Sequence, residues 1–120
     1  MKRTGPTNPV LRETIVALER LARKENAPIW KRVAEELARP TRKRREVNVG
    51  EIEKYAKEGD VVLVPGKVLG RGTIKKKVTV VAWSFSVSAA RKIQAAGGTV
   101  LGILEYANKN PKGSGVRIMG

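Results

Sequence analysis

Apolar positions first recur along this chain at the spacing of a helix. Leu11, Ile15, Leu18 and Ala22 share one face, while Arg12, Glu13, Glu19, Arg20, Arg23 and Lys24 occupy the other. Asn8-Pro9 supplies an N-cap and a first-turn proline for this helix. Asn26-Ala27-Pro28 breaks it and opens a second helix, with Trp30, Val33, Ala34 and Leu37 as the apolar stripe and Pro40 as the stop. Residues 39–46 are too charged for a core. Val47-Asn48-Val49 then leads into a short helix expected to turn Ile52, Tyr55 and Ala56 inward. Glu51 and Glu53 suit its N-terminus and Gly59 its end.

From Val61 the period changes. Val61-Val62-Leu63-Val64 is an unbroken apolar run, which predicts a strand buried on both faces. Pro65-Gly66 is expected to end it, followed by a glycine-rich loop with Gly66, Gly70 and Gly72. A second strand is expected over Val78–Trp83. Ser86 can cap a helix with Val87, Ala90 and Ile93 inward, stopped by Gly97-Gly98. A strand near Thr99–Leu101, a short helix near Ile103–Asn108, a break at Asn110-Pro111 and a strand near Val116–Met119 complete the chain. Strands alternating with short helices behind a helical pair make this an α/β protein. The expected organisation is a basic arm over 1–7, a helical pair and basic loop over 8–45, and an α/β globular part over 46–120, all within one structural domain.

Composition narrows the function. The 120 residues are enough for one domain with a real core, and 41% hydrophobic content excludes a purely disordered basic tail. With five aromatics only, that core must be mainly aliphatic. Cysteine and histidine are both absent. A disulfide framework is therefore excluded, and so are the commonest metal ligands, nucleophiles and general bases. The first residues lack a secretory apolar core and no segment approaches transmembrane length, so a soluble cytoplasmic protein is expected.

Charge supplies the main functional signal. Lys and Arg number 25 against 11 Asp and Glu, a net +14, and bases exceed acids on both sides of Arg45. No acid lies between Asp60 and Glu105, yet that stretch holds Lys67, Arg71, Lys75, Lys76, Lys77, Arg91 and Lys92. Upstream, Arg39-Pro40-Thr41-Arg42-Lys43-Arg44-Arg45 places five bases in seven residues. Such a run is often just a solvated loop. Here its self-repulsion is relieved by a polyphosphate backbone, whose counterions it would release, and Arg predominates, whose planar fork matches phosphate oxygens. A membrane surface would call for an exposed amphipathic face or a lipid anchor, and neither is evident.

The Gly66–Lys77 segment joins two strands. Its glycines permit backbone amides to approach an anion, with Lys67, Arg71 and Lys75–Lys77 around them. It is no P-loop, since G-x-x-x-x-G-K-[ST] is absent, and Gly70-Arg71-Gly72 lacks the third glycine of a dinucleotide fingerprint. Polynucleotide phosphate fits it better than a mononucleotide. Lys109, Lys112 and Arg117 around Gly113-Ser114-Gly115 form a third basic segment, for which a plain turn is an equal reading. Tyr55, Trp83 and Tyr106 are able to stack on unpaired bases. Trp30 and Tyr55, however, lie on apolar stripes, so core is the better assignment for most aromatics, with Trp83 and Tyr106 left open. The acids at Glu19, Glu35 and Glu36 have i,i+4 basic partners in Arg23, Lys31 and Arg32 and read as structural. Neither an enzyme nor a cofactor, metal or small-molecule substrate is expected.

Several words occur together in order: Thr7-Asn8-Pro9, Ala27-Pro28-Ile29-Trp30, Glu46-Val47-Asn48-Val49, Val64-Pro65-Gly66-Lys67-Val68-Leu69-Gly70, Val78-Thr79-Val80, Phe85-Ser86 and Asn110-Pro111-x-Gly113-Ser114-Gly115-Val116-Arg117. The set resembles the archaeal and eukaryotic large-subunit ribosomal protein eighteen family (the 18e type), related to bacterial large-subunit protein fifteen. Trp83-Ser84 departs from it, where a small apolar residue and an acid are expected. The resemblance implies a fold of irregular β-β-α superhelical turns, with a small mixed sheet and short helices behind two N-terminal helices and an RNA-embedded arm. It implies a structural constituent of the large subunit in the cytoplasmic ribosome, with large-subunit ribosomal RNA and neighbouring ribosomal proteins as partners. It also implies that the 39–45 run and the Pro65–Gly72 loop lie on RNA. The expected RNA-binding set is Lys2 and Arg3 of the arm, Arg39, Arg42, Lys43, Arg44 and Arg45 of the run, and Asn48. It continues with Gly66, Lys67, Gly70, Arg71, Gly72, Lys75, Lys76 and Lys77 of the loop, then Lys112 and Arg117. The alternative is an architectural DNA-binding protein of archaeal chromatin.

Overall fold

The computed structural model of the chain describes residues 9–38 and 45–119. The expected arm, and the basic run up to Arg44, lie outside the described residues. In chain order the elements are α1 (Pro9–Glu25), α2 (Pro28–Leu37), β1 (Arg45–Asn48), α3 (Val49–Tyr55), β2 (Val61–Leu69), β3 (Thr79–Phe85), α4 (Val87–Ala95), β4 (Thr99–Gly102), α5 (Ile103–Lys109) and β5 (Val116–Ile118). The described residues gather into two compact units, one of 9–38 with 104–114, the other of 45–103 with 115–119.

In the helical unit α1 packs on α2. Leu11 and Leu18 are buried as expected, but the third buried position of α1 is Thr14; Ile15 and Ala22 are only half-covered. Burying a hydroxyl is tolerated because Thr14 Oγ1 donates to the Val10 carbonyl at 3.0 Å. The break between the helices is a left-handed Asn26, φ +52°, a conformation that asparagine accepts more readily than most residues. In α2 all four expected positions, Trp30, Val33, Ala34 and Leu37, are fully buried. Trp30 also meets the edge of Tyr106 at 6.5 Å between ring centroids and donates Nε1–H to the Pro111 carbonyl at 2.6 Å. Tyr106 is therefore a half-covered packing partner of Trp30.

The second unit is built on a five-stranded sheet of order β1-β2-β3-β4, with β5 also on β2. Every pairing is parallel, a more uniform sheet than the mixed one expected. Strand β2 organises it: its first half, Val61–Leu63, lies between β5 and β3, and its second half lies between β1 and β3. The strand does not end at Pro65-Gly66, as the sequence suggests, but continues to Leu69. A register shift against β3 between Val64 and Lys67 absorbs the proline, which has no N–H to donate. Val62, Val64, Val68, Val80 and Ala82 face a core completed by Val49, Ile52 and Ala56 from the α3 region and by Ala89 and Ile93 of α4. Val62, Leu63 and Val64 are all fully buried, the double-sided burial predicted by their unbroken apolar run.

Two inward assignments are corrected. Tyr55 is 59% exposed, because α3 ends there and the chain turns extended at Ala56, which takes the buried place four residues after Ile52. Val87 is 68% exposed at the first turn of α4, where Ala89 and Ile93, four apart, carry the contact.

Candidate nucleic-acid interface

A parallel strand pair must be joined by a segment that returns the full length of the sheet. Between β2 and β3 that return is made without a helix, by residues 70–78. Ile74 and Val78 anchor it in the core, and polar contacts fix the rest. At the carboxyl end of β2 the Arg71 amide donates to Asn48 Oδ1 at 3.1 Å, and the Arg71 carbonyl accepts from the Gly50 amide at 3.0 Å. Lys92 of α4 reaches across and donates from Nζ to the carbonyls of Gly70 at 2.6 Å and Gly72 at 2.7 Å. Thus the backbone on both sides of Arg71 is tied down, while the Arg71 side chain is exposed.

The glycines serve this close packing. A Cβ on Gly70 would collide with Ser88 Oγ, and one on Gly72, φ +91°, would lie 2.8 Å from the Gly50 Cα. Gly66 lies inside β2, buried and opposite Arg45 of β1, rather than in the loop the sequence suggests.

The lysines at the far end of the return are held by acids that the linear sequence places elsewhere. Glu53 Oε1 accepts from the amides of Lys75 at 3.0 Å and Lys76 at 3.1 Å, and Glu58 Oε2 accepts from the Lys77 amide at 2.9 Å. These amide donors hold the Glu53 carboxyl below its usual range, with the charges of Lys76 and Lys75 adding to the effect. The three lysines are not equivalent. Lys76 Nζ donates to the Glu53 and Ala56 carbonyls at 2.7 and 2.8 Å, closing the C-terminal turn of α3. Lys75 and Lys77 are exposed, and their ammonium groups take no hydrogen bond among the described residues.

Of the other expected residues, Lys67 is exposed on β2, paired in register with Glu46 and Ser84. Lys112 is exposed in the helical unit. Arg117 belongs to the other unit, where its Nε meets Asp60 Oδ2 at 3.3 Å. The Lys57 amide, and then Arg117, keep the Asp60 carboxyl below its usual range. The Gly113 turn around Lys112 packs on Ile29, and Asn110 Nδ2 holds it through the Ser114 carbonyl at 2.9 Å and Tyr106 Oη at 3.0 Å. Lys2, Arg3, Arg39, Arg42, Lys43 and Arg44 lie outside the described residues. Reading the sequence missed Lys92, Glu53 and Glu58 as parts of this region. No spacing rule links a lysine to carbonyls twenty residues earlier, although the acid-free stretch did include Lys92.

The sequence pattern of ribosomal proteins 50S-L15, 50S-L18e and 60S-L27A matches residues 29–101, from α2 through most of β4. The chain belongs to this ribosomal protein family. Its relatives bear this out over the full length. It is 54% identical over 119 residues to the large ribosomal subunit protein eL18 of Methanococcus maripaludis, covering 99% of each chain. It is 55% identical over 113 residues to eL18 of Archaeoglobus fulgidus, covering 94% of this chain and 97% of the relative. With eL18 of Methanopyrus kandleri the identity is 50% over 121 residues. The resemblance read from the ordered sequence words is thus correct. This is a family of ribosomal proteins rather than of enzymes, and these relatives lend no support to the chromatin alternative.

Proposed function

We propose that this L18e-type chain is a structural constituent of the large ribosomal subunit in the cytoplasmic ribosome, binding and holding ribosomal RNA beside neighbouring ribosomal proteins. The observation that carries this reading is the division of labour around residues 70–78. Glu53 and Glu58 are committed to backbone amides, whereas Arg71, Lys75 and Lys77 are exposed on a return segment with fixed backbone, and Lys67 is exposed on the neighbouring strand β2. An outward cationic rim on a rigid support suits a polyanion of defined shape. The 39–45 run and Lys2 and Arg3 of the arm extend the same chemistry. Recognition rests on RNA shape and phosphate placement, since compact RNA helices offer few base edges to side chains.

Binding of the full chain to a large-subunit ribosomal RNA fragment, followed against salt, tests the reading. Affinity is expected to fall by roughly 0.7–0.9 log units per log unit of salt for each phosphate contact. Replacing Arg42, Lys43, Arg44 and Arg45 by Ser is expected to weaken binding and flatten that dependence while circular dichroism stays unchanged. A salt-independent affinity would reject the electrostatic mechanism.

A further inference from the structure

Lys92 carries one of the positive charges of the acid-free stretch, and by charge alone it would be counted as another phosphate ligand. Its geometry argues otherwise. Two of the three ammonium donors are spent on the Gly70 and Gly72 carbonyls, at 2.6 and 2.7 Å. Those carbonyls flank Arg71, whose own amide and carbonyl are held by Asn48 Oδ1 and the Gly50 amide. The Lys92 side chain is half-covered, whereas that of Arg71 is exposed. The glycine contacts close the same turn sterically, Gly72 on Gly50 and Gly70 on Ser88. Lys92 and Asn48 thus clamp the turn from opposite sides, from α4 and from the end of β1.

We propose that Lys92 is a positioning residue for RNA binding: it fixes the Gly70–Gly72 turn so that Arg71 is presented to phosphate in one orientation, and it does not itself contact the RNA. This rests on the RNA-binding reading above. The physical gain is preorganisation. Arg71 enters the complex from a turn already ordered, so less conformational freedom is lost on binding. A cation on two carbonyls also offsets the partial negative charge those oxygens would otherwise present to a phosphate.

The test uses the full chain with Lys92→Met, Arg71→Ala and the double variant. Amide hydrogen exchange is read at Gly50 and Arg71, and affinity for a large-subunit ribosomal RNA fragment is read against salt. Lys92→Met should speed exchange at both amides with the far-ultraviolet circular dichroism unchanged. It should weaken RNA binding by up to about tenfold, on the order of one charge-assisted contact. In that background Arg71→Ala should cost little more, because the two residues act as one unit. Additive losses, with each variant lowering the salt slope by one contact, would make Lys92 a direct phosphate ligand and overturn the proposal. Unchanged exchange at Gly50 and Arg71 would overturn it too, without any reference to RNA. Failure of the unaltered protein to bind the fragment would instead reject the RNA reading itself.

Discussion

Glu53 and Lys76 hold each other by both ends: the carboxylate accepts from the lysine amide at 3.1 Å, and the ammonium donates to the glutamate carbonyl at 2.7 Å. The pair joins the end of α3 to the return segment between β2 and β3. Because amide donors lower the Glu53 pKa in the folded chain, the folded state binds fewer protons there than the unfolded one. The stabilisation is therefore fully present above the ordinary value of 4.5 and is lost as pH falls through the lowered one. Asp60 acts in the same direction from its ordinary value of 3.8. Urea midpoints should fall as pH drops below about 4.5. Glu53→Gln should lower the midpoint at pH 7 and leave a shallower dependence on acid. An identical acid dependence in wild type and variant would contradict this.

Gly72→Ala should be costly for two separate reasons. A φ of +91° is strained for any residue with a Cβ, and that Cβ would sit 2.8 Å from the Gly50 backbone, which cannot swing aside as a side chain can. A loss of about 1–3 kcal/mol is expected in chemical denaturation. Gly102→Ala meets nothing within 4 Å and has no such φ, so it serves as the control and should change stability much less.

In the helical unit Trp30→Phe should separate packing from hydrogen bonding. Phenylalanine keeps most of the apolar contact with Tyr106 but leaves the Pro111 carbonyl without its 2.6 Å donor. The expected loss is about 1–3 kcal/mol. It should be visible as a lower thermal midpoint together with faster exchange at the Gly113 amide, which closes the same turn through Asn110.

The features legible in the sequence are those that local periodicity encodes. The stripe of α2 was readable residue by residue because one helix face decides it, and the burial of Val62–Val64 followed from an unbroken apolar run. Tyr55 was misread because its spacing from Ile52 suits a helix that runs on, whereas the chain leaves the helix at Ala56. The extension of β2 through Pro65-Gly66 was illegible for a different reason: it depends on β1 pairing beside it, which no local signal reports. For the candidate interface, charge identified the segment but not the roles within it. The acid-free stretch has acids beside it in space, and whether a lysine faces solvent or a carbonyl is decided by elements far away in the chain.

That distinction can be tested within the lysine run itself. Lys75, Lys76 and Lys77 are equal in charge, yet only the middle one caps carbonyls of α3 with its ammonium. Lys76→Ala should therefore cost about 1 kcal/mol of stability, the scale of a partly exposed charge-assisted contact. It should leave the salt slope of RNA binding unchanged. Lys75→Ala and Lys77→Ala should leave stability within about 0.5 kcal/mol, because their amide bonds to Glu53 and Glu58 survive the change. Each should lower the salt slope by roughly 0.7–0.9 where the ammonium meets phosphate. Equal effects of all three on the slope would mean that charge alone governs the run. The internal bonds of Lys76 would then break on binding, releasing its ammonium to the RNA.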